Sequence, residues 1–396
     1  MKKGKHTDLP PRDRELVDFA RELIAIPSPP GGEGEAQKRA AAEMEKAGWE
    51  DIRLDRLGNL HGRIGSGKRV LAVDGHIDTV GPGERRDWSC DPYRGREEGG
   101  WIHGRGAVDQ KGGVAAAVHA GRLFREAGGA AGITLHLVVS VQEEDCEGLV
   151  WDYLIEEEGF RPEAVILTEP TDLKITRGQL GHCEFVVAVR GRSAHAFCPE
   201  KGENAIYRAA GLVLRIQDLA PRLTAHPAFG RGRIAVTRIS GEGPSGNSVP
   251  DHCRLLIDRR FCPGEDRRSL LGEIERLSAG LDCDITIPVY RRASHTGMVR
   301  EGEKFFPGWL LEEDSPLLRS ARSARAKLGL PPAPVAVWGF STNGTSTMGR
   351  HRIPTIGFGP GSEGLAHQPD ERVPVSHLIA ARDFYSALAR EYGREV

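Results

Sequence analysis

Five short stretches of the chain gather side chains able to hold a metal ion or move a proton. In Val73-Asp74-Gly75-His76-Ile77-Asp78-Thr79-Val80 an imidazole and a carboxylate stand two positions apart, so both face one way where the backbone is extended. A metal-ligating imidazole usually gives its second ring N–H to a carboxylate, and Asp78 is placed to take that of His76. In Gly104-Arg105-Gly106-Ala107-Val108-Asp109-Gln110-Lys111-Gly112-Gly113, glycines leave room for the backbone around Asp109 to approach an ion. The same residue could instead cap the Ala-rich stretch behind it. Gln142-Glu143-Glu144-Asp145-Cys146-Glu147-Gly148 sets two carboxylates side by side, one for a metal and one for water, or forms a solvated acidic loop. Ile166-Leu167-Thr168-Glu169-Pro170-Thr171 and Gly364-Leu365-Ala366-His367-Gln368-Pro369-Asp370-Glu371 add a further carboxylate and a second histidine. Each stretch alone has a bland reading as a polar turn. Their conjunction is the N/O donor set that zinc, cobalt or manganese takes, and the chemistry it points to is metal-assisted hydrolysis with a carboxylate base.

Such residues act together only if the fold collects them. Apolar runs over residues 70–73, 133–141 and 164–167 predict buried strands, and three of the motifs follow directly on them. Open α/β sheets place their sites at such strand ends. Leu16, Phe19, Ala20, Leu23 and Ile24 recur at helical spacing before Pro27, Pro29 and Pro30. Further helices are predicted over about 36–47 and 112–125, so the alternation argues α/β with a mostly parallel sheet. Beyond Glu169-Pro170-Thr171 the order changes. Strands are predicted over 184–189, 234–239, 253–257 and 284–289, with helices over 204–219 and 266–281. This predicts an α+β domain inserted at roughly 181–291, with a catalytic domain split into 1–180 and 292–396. A helix over 315–328 and a strand over 355–358 resume the first pattern. The run Gly62-Arg63-Ile64-Gly65-Ser66-Gly67-Lys68 fits GxxxxGK, but Arg69 stands where a phosphate loop needs Ser or Thr. It is read as a tight, hairpin-like turn.

Composition narrows the partners. Lys plus Arg total 54 against 56 Asp plus Glu, with no block of one sign, which argues against nucleic acid or an anionic membrane. No apolar run reaches a membrane span, and the basic start lacks the apolar stretch of a signal peptide. Seven cysteines, none in a CxxC pair, fit reduced thiols and a cytoplasmic address.

The combined motifs closely resemble the M20 family of metallopeptidases and deacylases, which includes acetylornithine deacetylase, succinyl-diaminopimelate desuccinylase, aminoacylase and glutamate carboxypeptidase. The likeness runs from Gly58-Asn59-Leu60 to the C-terminal helix. Arg177-Gly178-Gln179 and Phe340-Ser341-Thr342-Asn343-Gly344 are most similar to the branch of selenium-metabolism hydrolases. The resemblance implies a zinc-exopeptidase-like catalytic domain with an inserted lid and dimerisation domain. It implies two divalent ions, zinc first with cobalt or manganese as alternatives: one on His76 and Glu169, one on Glu144 and His367, with Asp109 bridging. Glu143 would be the general base and Asp78 would orient His76. In Arg190-Gly191-Arg192-Ser193-Ala194-His195 the histidine would reach across a homodimer to the oxyanion. Asn247 and Arg260 would hold a substrate carboxylate, a task suited to the planar arginine fork; Arg260 could equally make a surface salt bridge. Glu rather than Asp at position 169 tilts the expectation toward a deacylase or carboxypeptidase acting on a small N-acyl amino acid or dipeptide-like amide. A ureide or cyclic-amide hydrolase and a non-catalytic metal-binding homologue compete with it. One departure stands out: Gly344-Thr345-Ser346-Thr347 replaces the family's acidic Gly-Thr-Ser-Asp loop, which borders the substrate.

Overall fold

The computed structural model describes residues 9–395. The first part of the basic start, read above for a signal stretch, lies outside the described residues, as does residue 396.

The larger of two main sheets has nine strands. Arg69–His76 lies at its heart, buried along its last six residues, as a continuous apolar strand between parallel neighbours must be. On one side runs Ile133–Ser140 and on the other Ala164–Leu167, followed by Thr355–Gly357, all parallel. The helix Lys111–Glu126 covers the first crossover and Leu149–Glu156 the second. The chain thus steps from Arg69–His76 to one neighbour and then back over it to the other, which opens a crevice at the strand ends.

The expected mostly parallel sheet needs correcting to a mixed one. Glu50–Leu54 and Leu60–Ile64 extend it antiparallel on one side. On the other, Thr176–Gln179 and Trp309–Leu310 pair antiparallel, while Ala336–Trp338 runs parallel to Thr176–Gln179. Parallel neighbours need a long crossover, whereas only a short turn joins Glu50–Leu54 to Leu60–Ile64. The hairpin reading of residues 62–68 also fails. Leu60–Ile64 pairs with Ile133–Ser140, which lies between it and Arg69–His76. The turn therefore arches over an intervening strand. Pro11–Ile24, Gly34–Ala47 and Val375–Tyr392 complete the helical cover of this core.

The smaller sheet is antiparallel, in the order Arg233–Glu242, His252–Phe261, Gly181–Arg190, Cys283–Thr286. It also takes up Phe305–Phe306, beyond residue 291, beside Gly181–Arg190. Alternate residues of the middle strands, among them Phe185, Val187, Leu255 and Ile257, meet Leu212 and Ile274 in a separate core. Those two come from Ala205–Leu219, capped by the Asn204 side chain on the Ile206 and Tyr207 N–H groups, and from Arg267–Leu277, opened by an Asp266–Ser269 capping box. The strand expected over 284–289 stops at Thr286 and a new one begins at Val289, because Pro288 has no N–H for the ladder. Among the described residues no helix is long and apolar enough to cross a membrane, and the seven cysteines are all free.

Candidate metal centre

His76 ends its strand with its ring buried in the crevice. Its Nδ1 lies 2.9 Å from the backbone carbonyl of Asp78 and 3.5 Å from Asp78 Oδ1. Asp78 thus meets the ring chiefly through its carbonyl, while its carboxylate accepts the Glu144 N–H at 3.0 Å. The far side of the ring faces carboxylates: Nε2 is 3.0 Å from Asp109 Oδ1, 3.7 Å from Glu169 Oε1 and 3.8 Å from Glu143 Oε2. Asp109 turns its other oxygen to the second histidine, with His367 Nε2 at 3.2 Å from Oδ2 and 3.0 Å from Glu144 Oε2. His76–Asp109–Glu144 and His76–Glu143–Glu169 each converge closely enough to share an ion.

The loops that carry these groups are tightly held. The helix Lys111–Glu126 begins after Gln110 without a side-chain cap, so Asp109 is not an N-cap. Its loop folds around the buried Glu371 carboxylate, which accepts from Arg105 Nη1 at 2.6 Å and from the N–H groups of Gly106, Val108 and Asp109 at 3.1, 2.7 and 3.0 Å. Gly106 has φ +85°, and a Cβ there would lie 2.8 Å from the Thr79 methyl, so glycine is required. Gln142 and His367 hold left-handed backbones at φ 58° and 60°, a strain that persists where surrounding contacts over-determine it. The 142–144 segment is buried rather than solvated: Gln142 and Glu143 are 1% and 5% exposed.

So many acids in one buried crevice perturb each other. Burial, and then Glu169, Glu147 and Glu144, push the Glu143 carboxyl well up against the pull of His76. Burial and Asp109 likewise raise Glu169, and they lift Glu144 to about 7. Burial would lower His76, yet Glu143, Asp109 and Asp78 hold it well above its ordinary value. Hydrogen bonding to Asp109 and Glu144 takes His367 up to about 10. Glu143 Oε1 and Asp78 Oδ1 are buried without a hydrogen-bond partner. Buried anions with unused oxygens beside imidazoles fit divalent cations, which would supply the missing positive charge.

A cavity of about 380 Å3 opens onto this cluster. Arg260 lies on its wall, and its guanidinium grips Asp258 at 2.9 and 3.1 Å, so it makes a salt bridge and also faces the cavity. His182 lies between Glu147 at 3.3 Å and Asp258 at 3.1 Å, and Lys304, Phe340 and Ser341 complete the wall. Sequence reasoning missed His182 and Lys304, gave Phe340 and Ser341 no place in the site, and missed Glu371, whose only signal was its position after His367.

His195 and Asn247 are not brought to the cluster. Both are exposed and stand together, the Ala196 N–H donating to the Asn247 carbonyl at 2.8 Å and the Phe197 N–H to His195 Nδ1 at 3.1 Å. The expectation for Thr347 needs correction too. It lies in a turn over Thr345–Arg350, fully buried, and accepts a hydrogen bond from Thr355 Oγ1 at 2.8 Å. The residues that reach the cavity are Phe340 and Ser341 upstream. Ser341 Oγ accepts from Gln179 Nε2 at 3.1 Å, and Asn343 joins the Asp74 carboxylate, Ser140 Oγ and the Gly148 N–H. Gln179 thus ties the 177–179 stretch to Ser341 and Thr342 in a buried polar wall.

Comparison with known proteins agrees with this geometry. The model of peptidase family M20/M25/M40 matches residues 72–391. YgeY, an uncharacterized protein of Escherichia coli K12, is 42% identical over 376 residues, covering 94% of this chain and 93% of that protein. Succinyl-diaminopimelate desuccinylase of Dinoroseobacter shibae is 29% identical over 395 residues, covering 95% and 98%. The M20 metallo-carboxypeptidase Sso-CP2 of Sulfolobus solfataricus shares the fold, with a TM-score of 0.77 over 98% of this chain and 100% of that one, at 15% identity.

Proposed function

Because the chain belongs to peptidase family M20/M25/M40 and is a metal-dependent amidohydrolase/peptidase of that family, we propose that it deacylates a small N-acyl amino acid or cleaves a dipeptide-like amide. The observation that carries this reading is Asp109, whose two oxygens face different histidines at 3.0 and 3.2 Å. One ion would be held by His76 and Glu169, the other by Glu144 and His367, with Asp109 shared. Zinc suits these N/O donors best, ahead of cobalt and manganese. When bound, the ions supply Lewis acidity toward the scissile carbonyl and make water a nucleophile near neutral pH.

The chain's own residues do the rest. Glu143, whose Oε1 has no competing partner, takes a proton from the attacking water and returns it to the leaving amine. Asp78 fixes the His76 ring and the Glu144 backbone. Arg260, oriented by Asp258, faces the substrate carboxylate. His195 and Asn247 serve a second copy of the chain, His195 as donor to the oxyanion. The lid supports a homodimer: Arg233–Glu242 is an edge strand, paired on one side only among the described residues, and Ile239, Tyr207 and Leu214 on it and its adjoining helix are 51%, 77% and 61% exposed. We read residues 181–291 as this lid, with the return to the catalytic domain completed after Phe305–Phe306. The near-balanced charge supports a small-molecule substrate rather than nucleic acid, and free thiols suit the cytoplasm. The stretches similar to selenium-metabolism hydrolases are used in the buried wall, which supports a part in shaping the site.

The test is Glu143→Gln assayed against N-acyl amino acids, dipeptides and ureido acids. Turnover should fall by roughly 10²–10⁴-fold while both ions remain bound. Full activity would overturn the role of Glu143. Release of carbamate or ammonia from ureido acids alone would move the reaction to the ureide class.

A further inference from the structure

A second cavity, of about 470 Å3, opens beside the first and shares Phe340 and Glu363 with it. The two cavities are thus neighbours on either side of Phe340 and Glu363. Three aromatic rings, Phe229, Trp338 and Phe340, stand in the walls of the second chamber. Trp338 is 2% exposed, its indole N–H donates to the Pro170 carbonyl at 3.2 Å, and its ring lies 5.7 Å from that of Phe340. Phe229 comes from the other domain, in the hairpin of Ala225–His226 and Gly230–Arg231. It lies so close to Gly178 that a Cβ there would be 3.0 Å from its ring. The chamber is thus assembled from residues of both parts of the chain, Phe229 and Arg233 from one and Trp338, Phe340 and Glu363 from the other.

Its charges are unevenly placed. Among the described residues, Glu363, at the junction, is the only anion of the lining, and Arg233 is the only cation. Among the described residues the Arg233 guanidinium makes no hydrogen bond or ion pair, whereas Arg260 in the first cavity is already engaged by Asp258. We propose that this chamber is the subsite for the acyl half of the substrate, and that this half is an aromatic arm ending in a carboxylate. The inference rests on the amide-hydrolase reading of the metal centre. Aromatic walls favour a ring between them, and the volume is in the range of small-molecule sites. An unpaired arginine fork selects a planar anion. Glu363 repels that anion from the junction, so the arm carries its charge at the far end, by Arg233.

The experiment compares acetyl, phenylacetyl and 4-carboxyphenylacetyl derivatives of one amino acid on the zinc-loaded protein. kcat/KM should rise in that order. Phe229→Ala should erase the phenylacetyl-to-acetyl preference. Arg233→Ala should lower the carboxyphenylacetyl-to-phenylacetyl ratio roughly ten- to hundredfold, as loss of a charged hydrogen bond does. A wild-type protein indifferent to the carboxylate, or an Arg233→Ala protein with the same ratio, overturns the proposal. Binding of 4-carboxyphenylacetate, followed by calorimetry, separates the two readings. If no amide is cleaved yet the acid binds wild type and not Arg233→Ala, the subsite stands and the hydrolase reading falls. If the wild type does not bind it, the subsite falls.

Discussion

Glu371 touches no substrate, yet the position of Asp109 depends on it. Its carboxylate and the Arg105 side chain are 0% and 2% exposed, and the same two oxygens also hold three backbone N–H groups of the Asp109 loop. Burial pushes the Glu371 carboxyl up, against the opposing pull of Arg105, so the charge is held at a desolvation cost and the intact pair adds little net stability. Breaking it is another matter. Glu371→Ala leaves Arg105 buried and uncompensated, which costs about 3–5 kcal/mol; the freed N–H groups overlap with that loss and are not added to it. Glu371→Gln keeps the shape but turns an amide NH₂ toward N–H donors and should lie near the lower end. Freed from its anchor, Asp109 should lose alignment between the histidines, and metal affinity should fall about 10–100-fold, as for other groups that orient ligands. Urea denaturation reads the first effect and competition with a chromophoric zinc chelator the second. A Gln variant with reduced stability but unchanged affinity for both ions would show that Glu371 is structural only, and the reasoning would be wrong.

Three other outcomes are expected. Zinc at a hundred times its Kd should raise stability by about 2.7 kcal/mol, seen as a higher Tm than in chelator; an unmoved Tm would refute the metal centre. His182 is lifted to about 9, burial opposing and Asp258 and Glu147 prevailing. A raised folded pKa stabilises fully below the unfolded value of about 6.5 and is lost as pH climbs through about 9, so the shift corresponds to about 3 kcal/mol. The stability gap between wild type and His182→Asn should therefore be largest below about pH 6.5, shrink as pH rises toward 9 and level off above it, and a gap constant with pH would contradict the pairing. His195→Ala should cost roughly 10²–10³-fold in kcat. Mixing it with Glu143→Gln should restore part of the activity, because a mixed dimer holds one intact site; no recovery would exclude action across the dimer.

The residues that converge in the crevice share a property that a linear reading can detect. His76, Glu143, Glu144 and Glu169 each follow an apolar run within a few residues, and strand ends in an open α/β sheet point at one another. Their positions follow from local pattern plus one rule of topology. Glu371, His182 and Lys304 follow no such rule. They act on groups far away in the chain, as Glu371 does on a loop some 262–266 residues earlier, and no periodicity encodes that partner. Strand direction was hidden for a related reason: a buried strand is apolar whether its neighbour runs with it or against it. The antiparallel flanking strands, such as Glu50–Leu54 and Thr176–Gln179, are short and polar and carry no apolar run, so only the parallel centre was legible.

Thr347 shows how a motif can mislead when its frame has moved. The acidic loop residue of the family suggested that its replacement would line the substrate cavity. In this chain the turn over Thr345–Arg350 carries position 347 inward to Thr355, and the wall beside the metals is made by Phe340 and Ser341. An aspartate at 347 would be a buried anion with one hydroxyl for a partner, so its absence here is a consequence of packing. Phe340 and Glu363 line both cavities, and on the subsite proposed above substitutions there should change the substrate preferred before they change the rate of the bond-breaking step.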